Sequence, residues 1–215
     1  HKLTGCCPKV AVHVLWDFNE GDEAEEVVAL AKKCGVRIGS INPNLFEDQE
    51  YRLGSLCNLD PEIRGRASKH VIDAIKLGQA VGSNVVSLWM PDGTNYPGQD
   101  SIRGRKRRLE KALGEFHDHL AGDQTFLLEY KPFEPAFYHT DVADWGMSYL
   151  YAKKMGPQSK VLVDTRHHYQ SQNIEQIVAW LLDEEMLGGF HFNDRRYADD
   201  DLTLGSIDPY QIFRI

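Results

Sequence analysis

The sequence predicts an α/β fold of the (β/α)8 TIM-barrel type, with about six of the eight βα units present in its 215 residues. Strand-like apolar runs alternate with helical patterns from one end of the chain to the other. Six such runs occupy 9–15, 36–42, 84–90, 125–132, 160–165 and 189–194. Near-continuous apolar strands separated by helices indicate a parallel sheet that those helices cover.

The first two predicted helices have start and stop signals. The helix after the first strand ends at Gly35, and its apolar face consists of Ala24, Val27, Val28 and Ala31. In the second helix, Asp60 and Pro61 are typical of an N-cap and first helical position, and Gly82 suits a left-handed C-terminal cap. The side chains of this helix that we expect to be buried are Ala67, Val71, Ala74 and Ile75.

Two later helices are also predicted by their apolar spacing. The basic run Arg103–Lys111 overlaps a helical pattern formed by Leu109, Leu113, Phe116 and Leu120. We interpret that run as a solvated helix face in preference to a phosphate site. Asn173 is the predicted N-cap of the last helix, whose apolar face is Ile174, Ile177, Val178, Leu181 and Leu182.

Six βα units in a row fit either a doubly wound sheet or a barrel. The chain has no GxGxxG or GxxxxGK loop after a strand, which weighs against the nucleotide-binding doubly wound fold and favours the barrel. Residues 1–215 are therefore expected to form one partial barrel domain. By this count the first and last strands of the barrel are absent, and a typical barrel of this kind needs roughly 250 residues or more.

The composition restricts the class of protein. A formal net charge of −8 and 42% hydrophobic residues indicate a globular chain with a substantial core that repels nucleic acid phosphates. We find neither an apolar run long enough to span a membrane nor a signal peptide, so the expected location is cytoplasmic and no membrane partner is expected. The four cysteines form no CxxC pair, which argues against a disulfide framework or a structural zinc site.

Polar residues recur where the predicted strands end. In strand order these residues are His13 and Asp17, Trp89, Glu129 and Lys131, Asp164, His167 and His168, then His191, Asp194, Asp199, Asp200 and Asp201. Each one alone has an ordinary explanation, such as a core histidine, a packed tryptophan or a solvated acidic loop. In a parallel barrel, however, the carboxyl ends of all strands meet at one mouth. Glu129, Asp164 and His191 occupy equivalent points on three successive strands, so we expect them to converge.

Converging carboxylates indicate a metal centre. Buried carboxylates that face each other cost several kcal/mol unless a cation or a shared proton compensates them. Oxygen ligands with one or two imidazoles suit Mg²⁺, Mn²⁺ or Co²⁺. A second cluster of His167, Asp199 and Asp201 makes two cations plausible. On an extended segment, Asp199 and Asp201 would point the same way and Asp200 outward.

Four motifs resemble the L-rhamnose isomerases of the xylose isomerase-like barrel superfamily, and the resemblance covers essentially the whole chain. The motifs are LWMPDG, LEYKP, VDTRHH and GGFHFNDRRYADDDL. The resemblance implies a metal-dependent isomerase that interconverts L-rhamnose and L-rhamnulose and accepts other aldoses. It further implies two divalent cations, Mn²⁺ preferred with Mg²⁺, Co²⁺ or Zn²⁺ as alternatives, and a homotetramer.

Matching positions imply the roles of individual metal ligands. Glu129, Asp164 and His191 resemble the ligands of the structural metal, with Asp164 bridging the two ions. His167 and Asp199 resemble ligands of the catalytic metal.

Other matching positions imply contacts with the monosaccharide. Lys131 resembles the lysine that binds the carbonyl end of the sugar, Trp89 an aromatic wall, and His13 the histidine near the ring oxygen. Asp201 resembles the aspartate that orients the metal-bound water. Arg166 stands where the family pattern has a small residue, so we expect its guanidinium to bind the aspartate loop or to crowd the site.

Three alternatives remain open from the sequence. One is a ketose 3-epimerase of the same superfamily, which works with a single metal and two glutamates. Another is a barrel nuclease that binds abasic DNA through zinc, which the net charge of −8 disfavours. The third is an inactive barrel fragment.

Overall fold

The computed structural model describes residues 1–18, 24–133, 138–197 and 200–215. Six parallel strands pair in chain order and form a curled half-barrel, as the sequence predicts. The strands are β1 (Lys9–His13), β2 (Arg37–Asn42), β3 (Val85–Leu88), β4 (Thr125–Glu129), β5 (Ser159–Asp164) and β6 (Leu187–His191). The helices between them are α1 (Ala24–Lys33), α2 (Pro61–Val81), α3 (Ile102–His117), α4 (Trp145–Met155) and α5 (Ile174–Asp183).

The segment after β6 adds smaller elements. A two-stranded antiparallel pair of β7 (Asn193–Asp194) and β8 (Leu202–Thr203) precedes α6 (Pro209–Arg214). The predicted last strand, 189–194, is therefore two elements, because β6 ends at His191 and β7 pairs with a different partner. Within the described residues, no helix combines the length and apolarity that crossing a bilayer requires.

The helix signals in the sequence correspond to real caps. The carboxylate of Asp60 accepts a hydrogen bond from the backbone N–H of Glu62, and Gly82 closes α2 with φ of 72°. The side chain of Asn173 caps α5 by accepting from the N–H of Gln176. These contacts satisfy N–H groups that have no partner inside the helix.

The main core lies between the sheet and the helices that cover it. Phe126, Leu128 and Tyr130 of β4 and the following loop pack into this core. Because strand side chains alternate between faces, Leu127, Glu129 and Lys131 point to the inside of the half-barrel. The same alternation directs Asp164 inward while Val161 and Val163 pack against the helices.

The buried helix faces differ from the prediction in several places. Leu182 is 59% exposed, because α5 packs through Ile174, Ile177, Val178 and Leu181 alone. Arg105, within the basic run predicted to be solvated, is buried, because its guanidinium binds the carboxylates of Asp100 and Asp141. The face of α1 is only partly buried against a smaller cluster around Val12 and Ile41.

Candidate active site

Three acidic and imidazole side chains meet at the carboxyl ends of β4, β5 and β6. Glu129, Asp164 and His191 are each the last residue of their strand, and Asp164 pairs in register with His191. One ligand atom from each lies within 4.8 Å of the other two. Nδ1 of His191 lies 3.2 Å from Oε2 of Glu129. The strand ends thus bring together three residues that are far apart in the sequence.

His167 adds a second imidazole to this cluster. Its Nδ1 lies 3.2 Å from Oε1 of Glu129, and its Nε2 lies 3.9 Å from Oδ2 of Asp164. A turn directly after β5 directs this side chain back over the strand ends, where the backbone N–H of His167 donates to the carbonyl of Asp164.

Asn193 holds the central carboxylate and was missed by the sequence reasoning. Its side-chain amide donates a 2.8 Å hydrogen bond to Oδ2 of Asp164. The backbone N–H and C=O of Asn193 both bond the hydroxyl of Thr165. The sequence feature that could have identified Asn193 is its position two residues after His191.

Burial and neighbouring charge shift the pKa values of this cluster. Burial alone would raise the pKa of Glu129, but hydrogen bonds from His167 and His191, together with the electrostatic interactions with the same two residues, outweigh it and lower that pKa to about 2. Burial raises the pKa of Asp164, and the charge of Glu129 adds to the rise. Burial alone would lower the pKa of His191, but the hydrogen bond to Glu129 and the negative charges of Glu129 and Asp164 together outweigh it and raise that pKa. The buried carboxylates of Glu129 and Asp164 therefore both lie close to the same imidazole, that of His191.

This donor set fits a divalent cation. Two carboxylates and an imidazole with mutually close ligand atoms are an O-rich set that suits Mg²⁺, Mn²⁺ or Co²⁺. A cation there would compensate the two facing carboxylates, as His167 and His191 do in part. The ligands that would hold it are Glu129, Asp164 and His191, with His167 adjacent.

Another cluster with metal-like spacing has a different explanation. Cys57, Asp92 and Asp141 also lie within 4.8 Å of one another. The guanidinium of Arg105 already binds Asp141, and Asp92 accepts hydrogen bonds from Ser55 and from the backbone N–H of Cys57. Burial raises the pKa of the Cys57 thiol well above its usual value, which disfavours the thiolate that binds metals. We assign this cluster to loop packing.

The cluster of Glu129, Asp164, His167 and His191, called the metal cluster below for its candidate role, opens into a cavity of about 430 Å³. Trp89, predicted as a wall, lines it, and Nζ of Lys131 lies 5.2 Å from the centre of the Trp89 ring. Trp16 and Phe46 extend this wall, with ring centres 6.0 Å apart. Both were missed by the sequence reasoning, although each follows a strand end by a few residues.

His13 lies beside the aromatic wall. Its ring stacks on Trp16 at 4.5 Å, and it lines the same cavity. Within the described part of the chain, its buried Nδ1 has no hydrogen-bond partner. The backbone N–H of His13 donates to Asp17, which fixes the turn after β1.

The acidic loop differs from the predicted extended arrangement. Asp201 has φ of 44°, a left-handed conformation, and its carboxylate pairs with the guanidinium of Arg166. The carboxylate of Asp200 accepts hydrogen bonds from the backbone N–H groups of Arg196 and Tyr197. The expected bridge from Arg166 to this loop is confirmed. Asp199, predicted as a metal ligand, lies outside the described residues.

Comparison with known proteins identifies the family. Residues 11–213 match the family described as the xylose isomerase-like TIM barrel. The chain belongs to this family. Its six-stranded parallel half-barrel is the part of the family fold that the described residues contain.

The chain is also similar to individual members of this superfamily. It is 39% identical to a probable sugar isomerase of Rhizobium meliloti and 38% identical to one of Mesorhizobium japonicum, with 100% of this chain and 50% of each relative covered. The chain thus spans about half the length of these relatives. The structure of a D-psicose 3-epimerase from Clostridium cellulolyticum is similar in fold, with a TM-score of 0.68, 16% identity, and coverage of 87% of this chain and 63% of that one. The names of the two probable sugar isomerases do not state a sugar.

Proposed function

We propose that the protein is a metal-dependent aldose–ketose isomerase of monosaccharides, with L-rhamnose and L-rhamnulose as its substrate pair. The observation that supports this proposal is the meeting of Glu129, Asp164 and His191 in a cavity that also holds Lys131 against an aromatic wall. The names of the two relatives at 39% and 38% identity support the isomerase class. The choice of L-rhamnose comes from the sequence motifs.

The reaction moves hydrogen between two adjacent carbons. When an aldose becomes a ketose, the hydrogen on C2 passes to C1 as a hydride, O2 loses its proton and O1 gains one. A divalent cation held by Glu129, Asp164 and His191 would supply Lewis acidity toward the sugar oxygens. Mn²⁺ is the proposed ion, with Mg²⁺, Co²⁺ or Zn²⁺ as alternatives.

Lys131 would stabilise charge at the carbonyl end of the sugar. Its side chain is 6% exposed, and its ammonium lies over the ring of Trp89 in the cavity wall. An ammonium fixed beside O1 donates a hydrogen bond that strengthens as negative charge develops on that oxygen. Lys131 would therefore act as an electrostatic group whose position is fixed before the substrate binds.

The opposite end of the cavity is suited to binding the rest of the sugar. The buried Nδ1 of His13 faces a cavity wall built with Trp16, and a sugar oxygen there would give this atom a hydrogen-bond partner. Burial lowers the pKa of His13, against the opposing charge of Asp17, which favours the neutral imidazole. A neutral ring has one N–H donor and one acceptor for the ring oxygen or a hydroxyl.

The remaining properties are predictions from the sequence. They comprise a homotetramer and a cytoplasmic location. The sequence motifs alone also imply a second divalent cation that would use His167, Asp199 and Asp201. The expected partner is a monosaccharide, and neither nucleic acid nor membrane is expected to bind.

Incubating the natural full-length protein with L-rhamnose and Mn²⁺ tests the proposal. We expect L-rhamnulose to form, as followed by ¹³C NMR of substrate labelled at C1, and we expect chelation with EDTA to stop its formation. The Asp164→Asn variant is the matched inactive control. A ketose epimerised at C3 in place of aldose–ketose exchange would instead indicate a 3-epimerase. Lack of conversion of every aldose tested would contradict the isomerase proposal.

A further inference from the structure

We infer that the guanidinium of Arg166 takes the place of a second cation, so that the site binds one divalent ion at Glu129, Asp164 and His191. The inference rests on the proposed function, because it concerns how that isomerase site distributes positive charge. It goes against the expectation of two cations that the sequence motifs imply.

Arg166 lies inside the site, where it connects two carboxylates. Its backbone N–H donates a 3.0 Å hydrogen bond to Oδ1 of Asp164, and its Nε lies 3.6 Å from the same oxygen. Its Nη2 forms an ion pair with Oδ1 of Asp201. The Arg166 side chain is 4% exposed, whereas that of Asp201 is 71% exposed. The buried partner of this pair is thus the guanidinium, which also lines the cavity.

The two carboxylates that Arg166 contacts are both expected beside a second metal, Asp164 as the ligand that bridges the two ions and Asp201 as the residue that orients the metal-bound water. Asp164 directs Oδ2 toward His191 and Asn193, on the side of the metal cluster, and Oδ1 toward Arg166. Asp201, the residue expected to orient the water on the second ion, is paired with the same guanidinium. A divalent cation between Asp164 and Asp201 would have to displace a buried positive group from both.

The charge of the described side chains that line the cavity, which do not include Asp199, favours a single ion. Among the described residues that line it, three are acidic, namely Glu129, Asp164 and Asp201, and two carry a permanent or usual positive charge, namely Lys131 and Arg166. These side chains leave one net negative charge. With one divalent cation bound, the summed charge of these side chains and the ion is already positive. The nearby guanidinium would repel a second divalent cation. Repulsion between like charges is strong in a partly desolvated site.

A guanidinium can supply part of the electrostatic stabilisation that a metal cation provides. It stays protonated, and it presents several N–H donors in one plane, which suits two neighbouring oxygens. Charge-assisted hydrogen bonds of this kind stabilise developing negative charge without a change of protonation. Arg166 would therefore bind an oxygen of the sugar from the side opposite the metal cluster, held in place by Asp201.

Counting Mn²⁺ bound to the natural full-length chain tests this inference. Equilibrium dialysis into a large excess of Mn²⁺, followed by atomic emission analysis, is expected to give one tightly bound ion per chain for the wild type. The Arg166→Gly variant is expected to bind two ions per chain, and electron paramagnetic resonance should show the coupling of a neighbouring Mn²⁺ pair. Arg166→Lys, which retains the positive charge, is expected to bind one ion. Circular dichroism confirms that the variants are folded.

Two outcomes would overturn the inference. They are a wild-type chain that binds two Mn²⁺ ions tightly, or a folded Arg166→Gly variant that still binds one. Neither depends on turnover. A wild type with one ion that converts no aldose would contradict only the proposed function. A wild type with two ions that forms ketose would contradict only the role of Arg166.

Discussion

Nδ1 of His191 lies 3.2 Å from Oε2 of Glu129, although β5 separates their two strands. Strands two positions apart in a flat sheet are roughly 9 to 10 Å apart, because neighbours are separated by about 4.8 Å. Side chains from β4 and β6 can meet only because the sheet curls and both point to its concave side. The curl that begins to close a barrel therefore also brings together the residues that we propose as metal ligands.

Removing one carboxylate should remove metal affinity. We expect Asp164→Asn to weaken Mn²⁺ binding by more than about 100-fold, since it takes a charged ligand from the centre of the cluster. The matched control is Asp123→Asn, at an exposed carboxylate away from the cavity. Isothermal titration calorimetry with Mn²⁺ measures both. Equal affinity of Asp164→Asn and the wild type would show that Asp164 is not a ligand.

Lys131 should contribute to the rate but not to metal affinity. We expect Lys131→Met to retain Mn²⁺ binding and to lower kcat by about 10² to 10³, the usual loss when one donor to a developing oxyanion is removed. Lys76→Met, on the exposed face of α2, is the control. Steady-state assays of ketose formation compare the variants. Normal turnover by Lys131→Met would remove lysine from the mechanism.

His168 should make stability depend on pH. Burial lowers the pKa of this histidine to about 4 from the usual 6.5. The stability that comes from keeping this imidazole neutral is fully present above pH 6.5 and is lost as the pH falls toward 4, because the unfolded chain binds the proton first. The free energy of unfolding falls by up to about 1.4 kcal/mol per pH unit in this range. Urea unfolding between pH 4 and 7 should show a shallower pH dependence for His168→Gln. Identical slopes would mean that this imidazole titrates normally.

The neighbouring glycines of β6 should respond differently to a methyl group. A Cβ at Gly188 would lie 2.3 Å from Cδ2 of Leu127 and 2.7 Å from Cβ of Lys160, whereas one at Gly189 would meet Leu127 at 3.8 Å. We expect Gly188→Ala to cost about 1 to 3 kcal/mol of unfolding free energy, as overpacking does. Gly189→Ala should be nearly neutral. Similar urea midpoints for the two variants would contradict the packing of β6 against β5.

Local signals allowed most of the fold to be predicted from the sequence. The N-caps at Asp60 and Asn173 and the left-handed Gly82 depend on contacts within a few residues, so the sequence contains their causes. Parallel strand order then places Glu129 and Asp164 at one end of the sheet without knowledge of distant contacts.

Features that depend on contacts between distant parts of the chain could not be predicted from local sequence signals. The burial of Arg105 depends on Asp141, which lies on a different loop, and a basic run gives no sign of it. The aromatic wall of Trp16 and Phe46 forms between two loops whose conformations no periodic pattern determines. The left-handed conformation of Asp201 likewise accompanies its ion pair with Arg166 and replaces the extended geometry that spacing suggested.

The metal centre is tested most directly by anomalous scattering from crystals of the natural full-length protein grown with Mn²⁺. Data collected on both sides of the manganese absorption edge locate the ion without reference to activity. We predict an anomalous peak within bonding distance of a carboxylate oxygen of Glu129, a carboxylate oxygen of Asp164 and Nδ1 of His191. Crystals that show Mn²⁺ bound elsewhere, with no peak among these three side chains, would contradict the proposed metal centre.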